Sequence, residues 1–290
     1  MQQIQASELI INSNGAIYHL NLKPGDIADT IILVGDQDRV KLISNYFETI
    51  DTISNHREFV THTGHYHGKR ITVLSTGIGT DNIDIVVNEL DALANIDFTT
   101  RQVKPQLKSL NLIRLGTSGA IQNDIAVGSI VKSAMAIGFD GLLNFYADRD
   151  SISELDMEKA FIQHTQWNKN LTRPYFVNAS VDLLKRFEDH FILGHTISAP
   201  GFYGPQGRVL RIPLVDMDIN KKIESFYFEG NRITNFEMEG SAIYGLSKHL
   251  GHNALTICAI IANRVSKEFD NNYQQTIKKL VTTSLNVLTS

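Results

Sequence analysis

The strongest constraint on this chain is a set of short, nearly uninterrupted apolar runs, several of which lead into a glycine turn and then a helix-compatible stretch. Thr30-Ile31-Ile32-Leu33-Val34 leads into Gly35-Asp36, and a helical segment begins near Asp38. Ile71–Ser75 leads into Thr76-Gly77-Ile78-Gly79-Thr80. The spacing of Ile83, Val86, Val87, Leu90 and Leu93 then predicts a helix from about Asn82 to Ala94, capped by Thr80 or Asp81. Further strands are expected at Asn111–Leu115, Ser129–Ala136 and Ala254–Ile261, and helices at Val181–His190, Glu239–Leu250 and Tyr273–Leu288. A strand that is apolar on both faces must be covered on both faces, so the pattern predicts an α/β layered fold around a largely buried sheet.

Composition narrows the class. The 290 residues, 42% hydrophobic, suffice for one large α/β domain spanning 1–290, and no repeat or linker divides them. The stretch from Ala147 to Pro174 is polar without clear period and is expected to be a surface insertion with no chemistry of its own. A net charge of −4 gives no support to nucleic-acid binding, which calls for a clustered basic face. Cys258 stands alone inside an apolar run, so an intrachain disulfide and a multi-thiolate metal site are excluded, and it reads as a small buried hydrophobe. No run approaches the roughly 18 apolar residues that span a bilayer, and residues 1–5 lack a signal pattern. A cytoplasmic protein with no membrane partner is expected.

Chemistry concentrates at turns after strands, where open α/β sheets bind ligands. Gly35 lets backbone amides approach an anion, and Arg39 follows four residues later. Arg114-Leu115-Gly116-Thr117-Ser118-Gly119 places a second arginine before a hydroxyl- and glycine-rich turn. Paired guanidinium forks suit phosphate, and Arg114, flanked by Leu112, Ile113 and Leu115, needs a buried partner. Gly77-Ile78-Gly79 raises a dinucleotide-binding alternative, but position 82 is asparagine where the third glycine belongs. The acids of Asn235-Phe236-Glu237-Met238-Glu239-Gly240 read, by periodicity alone, as a solvated helix start.

Taken together and in this order, the motifs resemble the nucleoside phosphorylase family of the uridine and hexameric-purine type, from about His19 to the last helix. The resemblance is carried by Val34-Gly35-Asp36-Gln37-Asp38-Arg39 (with Gln37 where a proline is usual), Ser54-Asn55-His56-Arg57-Glu58-Phe59, Ile113–Gln122 and Phe236–Glu239. Its most discriminating part is Phe202-Tyr203-Gly204-Pro205-Gln206-Gly207-Arg208, which matches the pyrimidine-binding segment of the family's uridine branch. A glutamine amide can pair with uracil O2 and N3–H while an arginine donates to O4 and favours the charge on the departing base. Purine-specific members carry an aspartate where this chain reads Ile260-Ile261-Ala262-Asn263-Arg264.

The resemblance implies a three-layer α/β/α domain with a mixed central sheet and phosphorolysis of uridine to uracil and ribose 1-phosphate. Phosphate, a co-substrate, would be held by Gly35, Arg39, Arg114 and Thr117, with Arg57 from a neighbouring subunit. Ribose would be held by Thr117, Met238 and Glu239, with His19 from the neighbour, and Tyr18 would cover the sugar or base. Phe202, Gln206, Arg208, Ile261 and Ala262 would surround the base. Arg208, Gln206, Arg114 and Glu239 are thus the expected catalytic set, with no organic cofactor and self-association into units that share sites. The family also suggests a monovalent-cation site near Glu58 and Ile78, but Asn82 replaces the usual serine and no such site is assigned. The alternatives are a purine nucleoside phosphorylase or nucleosidase on the same fold, and a non-catalytic nucleoside-binding protein.

Overall fold

A computed structural model describes residues 3–290. Its strands are β1 (Thr30–Val34), β2 (Thr49–His56), β3 (Phe59–Tyr66), β4 (Lys69–Ser75), β5 (Ile96–Asp97), β6 (Gln102–Val103), β7 (Asn111–Ala120) and β8 (Ile130–Gly138). They continue with β9 (Tyr175–Asn178), β10 (Ile192–Ser198), β11 (Tyr227–Phe228), β12 (Asn231–Arg232), β13 (Asn235–Glu237), β14 (Asn253–Asn263) and β15 (Glu268–Phe269). The helices are α1 (Gln37–Ser44), α2 (Thr80–Asn95), α3 (Leu155–Thr165), α4 (Val181–Arg186), α5 (Ile219–Glu224), α6 (Gly240–Leu250) and α7 (Tyr273–Thr289).

Eleven strands form one mixed sheet in the order β15-β14-β8-β10-β13-β7-β1-β4-β3-β2, with β9 added on β8. The expected central mixed sheet is present, with one property that local pattern does not carry. Strand β14 pairs with β7 in parallel and with β8 antiparallel, so β14, β8, β10, β13 and β7 close into a ring of neighbours. Alternate residues of β8 feed different cores: Ala136 joins the main cluster with Leu255, Ile243 and Leu285, whereas Met135 and Ile137 pack with Phe161, Phe176 and Phe236. That region of the sheet is therefore covered on both faces, which explains its unbroken apolar strands.

Three expectations change. Strand β7 continues through Gly116-Thr117-Ser118-Gly119 to Ala120, because β14 and β13 supply partners there, so Arg114 lies in mid-strand and not at a strand end before a turn. The N-cap of α2 is Gly79, without a side-chain cap, and not Thr80 or Asp81. The stretch 147–174 is not only surface: α3 buries Met157 and Phe161 in the second core, and Glu158 is buried with Arg149 at 2.9 Å. Its charged and apolar residues were masked in sequence by polar neighbours. None of the described helices is long and apolar enough to cross a membrane.

Candidate active site

A cavity of about 1140 Å³ opens beyond the carboxyl ends of β1 and β4 and alongside the second half of β7. Its first wall is the turn after β1. Asp36 caps α1 by accepting from the Asp38 amide at 3.0 Å, which fixes Arg39 in the first helical turn. Arg39 reaches across to donate to the Leu115 carbonyl at 3.3 Å. Burial, and then the Arg114 charge beside it, lower the pKa of this guanidinium. Two cations brought together in a partly desolvated place favour an anion between them.

Arg114 forms the floor. Its side chain is 7% exposed and ion-paired to Glu239 and, at 3.4 Å, to Glu237. Burial opposes its charge, but Glu239 and then Glu237 outweigh that and raise its pKa. A Cβ at Gly116 would overlap the Arg114 guanidinium, so the bare backbone at 116 is what lets the side chain lie back along its own strand.

Neither acid of the Phe236–Glu239 segment is solvated. Glu237 accepts from the Ser198 hydroxyl and from the amides of Glu239 (3.0 Å) and Gly240 (2.9 Å), thereby capping α6. Burial raises its pKa, opposed by Arg114. Glu239 accepts from the Gly79 amide at 2.7 Å, so a carboxylate from one helix start satisfies the open amide at the start of another, α2. Periodicity identified the helix start but could not show that the sheet closes over it.

The opposite wall is the segment 202–208. Gln206 is buried on a short 3₁₀ turn, and Arg208 donates to its Oε1 at 2.5 Å and to the Phe202 carbonyl at 2.6 Å. The Arg208 guanidinium lies 3.8 Å from the Phe202 ring centroid. The Gln206 side-chain oxygen is thus committed to Arg208, which leaves its amide nitrogen as the side chain's remaining donor. A register shift in β14 between Ile260 and Ala262 sets Ile261 and Ala262 at the cavity.

Of the expected site residues, Gly35, Arg39, Arg114 and Thr117 line this cavity, as do Met238 and Glu239. Phe202, Gln206, Arg208, Ile261 and Ala262 line it as well. Tyr18, His19 and Arg57 are not among its lining residues, so within one chain they do not join the expected set. They gather elsewhere: His19 Nδ1 is 2.7 Å from Glu89, and Arg57 donates to the Tyr18 hydroxyl at 3.3 Å and lies over its ring. Arg57 occupies the turn between β2 and β3 with a φ of 57°.

Sequence reasoning assigned no role to Arg264 or Glu237. Arg264 donates to the Gln206 carbonyl at 2.6 Å, and burial with the nearby Arg208 charge lowers its pKa to about 10. Its only signal was proximity to Ile261 and Ala262. Asn263 is fully used by the backbone: its amide nitrogen donates to Gln122 and Ile125 carbonyls, each at 2.9 Å, and its oxygen accepts from Val265 and Ser266.

Residues 29–290 match the model of the phosphorylase superfamily. A uridine phosphorylase of Thermococcus kodakarensis is 31% identical over 277 residues, covering 93% of this chain and 85% of that protein. A DeoD-type purine nucleoside phosphorylase of Bacillus cereus is 32% identical over 250 residues, covering 83% of this chain and 85% of that one. The crystal structure of a Trypanosoma brucei nucleoside phosphorylase, which shows uridine phosphorylase activity, superposes with a TM-score of 0.88 at 29% identity, covering 97% of this chain and 99% of that one. A uridine phosphorylase of Phytophthora capsici shares the fold at a TM-score of 0.70 and 19% identity, covering 100% of this chain and 99% of that one. With nine-tenths of the chain aligned to such relatives and the glycine turn, two arginines and paired acids meeting in one cavity, the chain belongs to the phosphorylase superfamily.

Proposed function

We propose that this protein cleaves uridine with inorganic phosphate, giving uracil and ribose 1-phosphate. The observation that carries this reading is the Gln206–Arg208 pair, with Arg208 over Phe202, set in the same cavity as Arg39 and Arg114. The uridine phosphorylase of Thermococcus kodakarensis and the Trypanosoma brucei enzyme support the same choice of base.

In this reading phosphate lies against Gly35, Arg39, Arg114 and Thr117, ribose against Met238 and Glu239, and the base between Phe202, Ile261 and Ala262. The C1′–N1 bond breaks with its electron pair leaving on N1, and a phosphate oxygen forms the new bond to C1′ from the opposite face. The uracil anion then takes a proton from water. Arg208 stabilises the charge on the departing base, and the cavity supplies position. The step needs no organic cofactor. A purine would demand an acid near its N7, and Asn263, spent on four backbone groups, offers none.

The same reading assigns Arg57 and His19, with Tyr18 beside them, to the site of a neighbouring subunit in a cytoplasmic assembly. Their joint position apart from their own chain's cavity supports that assignment. Incubation with a panel of nucleosides, with and without phosphate, tests the activity. Uracil and ribose 1-phosphate should form from uridine only when phosphate is present. Uracil release at the same rate without phosphate would make the protein a hydrolase, and equal turnover of inosine would overturn the choice of base.

A further inference from the structure

A second cavity, of about 730 Å³, lies on the other side of the segment 202–208. The segment is a thin partition: Phe202 and Gln206 line the active-site cavity, Tyr203, Gly204 and Pro205 line the second, and Arg208 borders both. The inner end of the second cavity is aromatic, with Phe139 and Trp167 in ring contact at 4.6 Å between centroids. Leu171, Pro200 and Leu214 extend the apolar lining.

The outer wall is the irregular segment 210–216. There Leu210, Ile212 and Val215 are 75%, 82% and 75% exposed, an apolar concentration that water does not favour and a ligand would cover in part. The charges at the mouth are unequal. Asp216 is held by Lys222 at 2.7 Å, and Arg208 turns its guanidinium to Phe202 and Gln206. Arg211 also lines the cavity, and among the described residues it has no ion-pair partner. An apolar chamber of ligand size with one uncommitted guanidinium at its edge selects for size, ring character and a single negative charge.

We infer that this cavity is a second small-molecule site, taking a ring-sized apolar ligand that bears one anionic group, with its rings against Trp167 and Phe139 and its anion at Arg211. The inference does not depend on the reaction in the neighbouring cavity, and its test reads binding alone.

Trp167 is the only tryptophan in the chain, so its fluorescence reports occupancy of this cavity directly. The intact protein is titrated with 1-anilinonaphthalene-8-sulfonate, an aromatic anion, and with N-phenyl-1-naphthylamine, its uncharged counterpart. The sulfonate should bind saturably, one per chain, quenching Trp167 by energy transfer. Arg211→Gln should weaken the sulfonate about 10-fold, the scale of one lost charge-assisted hydrogen bond, and leave the amine unchanged. Leu214→Asp should weaken both probes. Unchanged circular dichroism in Arg211→Gln, whose side chain is exposed, keeps the comparison valid. Non-saturable binding, several probes per chain, or equal sulfonate affinity in Arg211→Gln would overturn the inference. So would concentration-dependent self-association abolished by Leu210→Asp, because the cavity would then be covered by a second copy of the chain.

Discussion

The guanidinium of Arg114 occupies the space that a side chain at Gly116 would need, two residues further along the same strand. The arginine can therefore fold back between Glu237 and Glu239 only because position 116 is bare. Gly116→Ala should displace Arg114 from both acids while changing only one methyl group. A misplacement of about 1 Å can cost roughly 10²-fold in rate, and a loss of that size or larger in kcat/KM for phosphate is expected. Steady-state kinetics with phosphate as the varied substrate, beside a urea unfolding curve, separates this from simple destabilisation. Near-normal kinetics would show that Arg114 tolerates another pose.

Asn263→Asp inserts a carboxylate into the stretch Ile260–Arg264, within which the resemblance puts the aspartate of purine-specific members. The structure predicts that it fails to create purine activity. The Asn263 amide nitrogen donates to two carbonyl oxygens, and an aspartate would set an oxygen against both. A loss of about 3 kcal/mol in stability is expected from the unsatisfied and repelling groups, with no gain in inosine turnover. Urea denaturation and an inosine assay of the variant check the two halves. A stable variant that cleaves inosine would place the base differently from the reading above.

Alkaline pH should weaken the fold through Cys258. Burial pushes this thiol up to about 12 from an ordinary 9.0. An unfolded chain releases the proton near the lower value and the folded chain keeps it up to the higher one. The contribution is therefore complete below about pH 9 and is lost as pH rises toward 12. At about pH 10.5 the loss should be roughly 2 kcal/mol relative to about pH 8. Urea unfolding across this range tests it, and Cys258→Ala should have the shallower slope. Identical slopes would show that the thiol ionises alike in both states.

The proposed sharing of sites between subunits predicts complementation. Arg208→Ala alone should lower kcat by roughly 10²–10³-fold, as for other lost donors to developing negative charge. His19→Ala should be impaired through a different segment, outside the cavity of its own chain. Mixed under conditions of proven subunit exchange, the two variants should regain part of the wild-type rate, because in a mixed pair both lesions fall in one site and the other is intact. A mixture no more active than its parents would mean that each site is built from one chain.

Much of this protein was legible as sequence because the relevant physics is local. The apolar runs at Thr30–Val34, Ile71–Ser75 and Ala254–Ile261 became buried strands, and the helix beginning near Asn82 carries its apolar face where the spacing put it. Gly35 with Arg39, and Gln206 with Arg208, are neighbours in the chain, so each pair could be recognised as a unit before any tertiary contact was known. Segment 202–208 was legible as chemistry but not as a partition between two cavities.

What only the tertiary structure decided depends on partners far apart in sequence. Strand β7 extends past Arg114 because β13 and β14 offer it backbone partners, and no property of Gly116–Ala120 announces that. The acids Glu237 and Glu239 look like a solvated helix start until Arg114, Ser198 and Gly79 arrive from other strands and turns to bury and pair them. Tyr18, His19 and Arg57 cluster together through the meeting of the amino-terminal segment with the turn between β2 and β3. Local periodicity fixes which face of an element is apolar. Which charges those faces bring together is set by strand pairing over many tens of residues, and that pairing exists only in the folded chain.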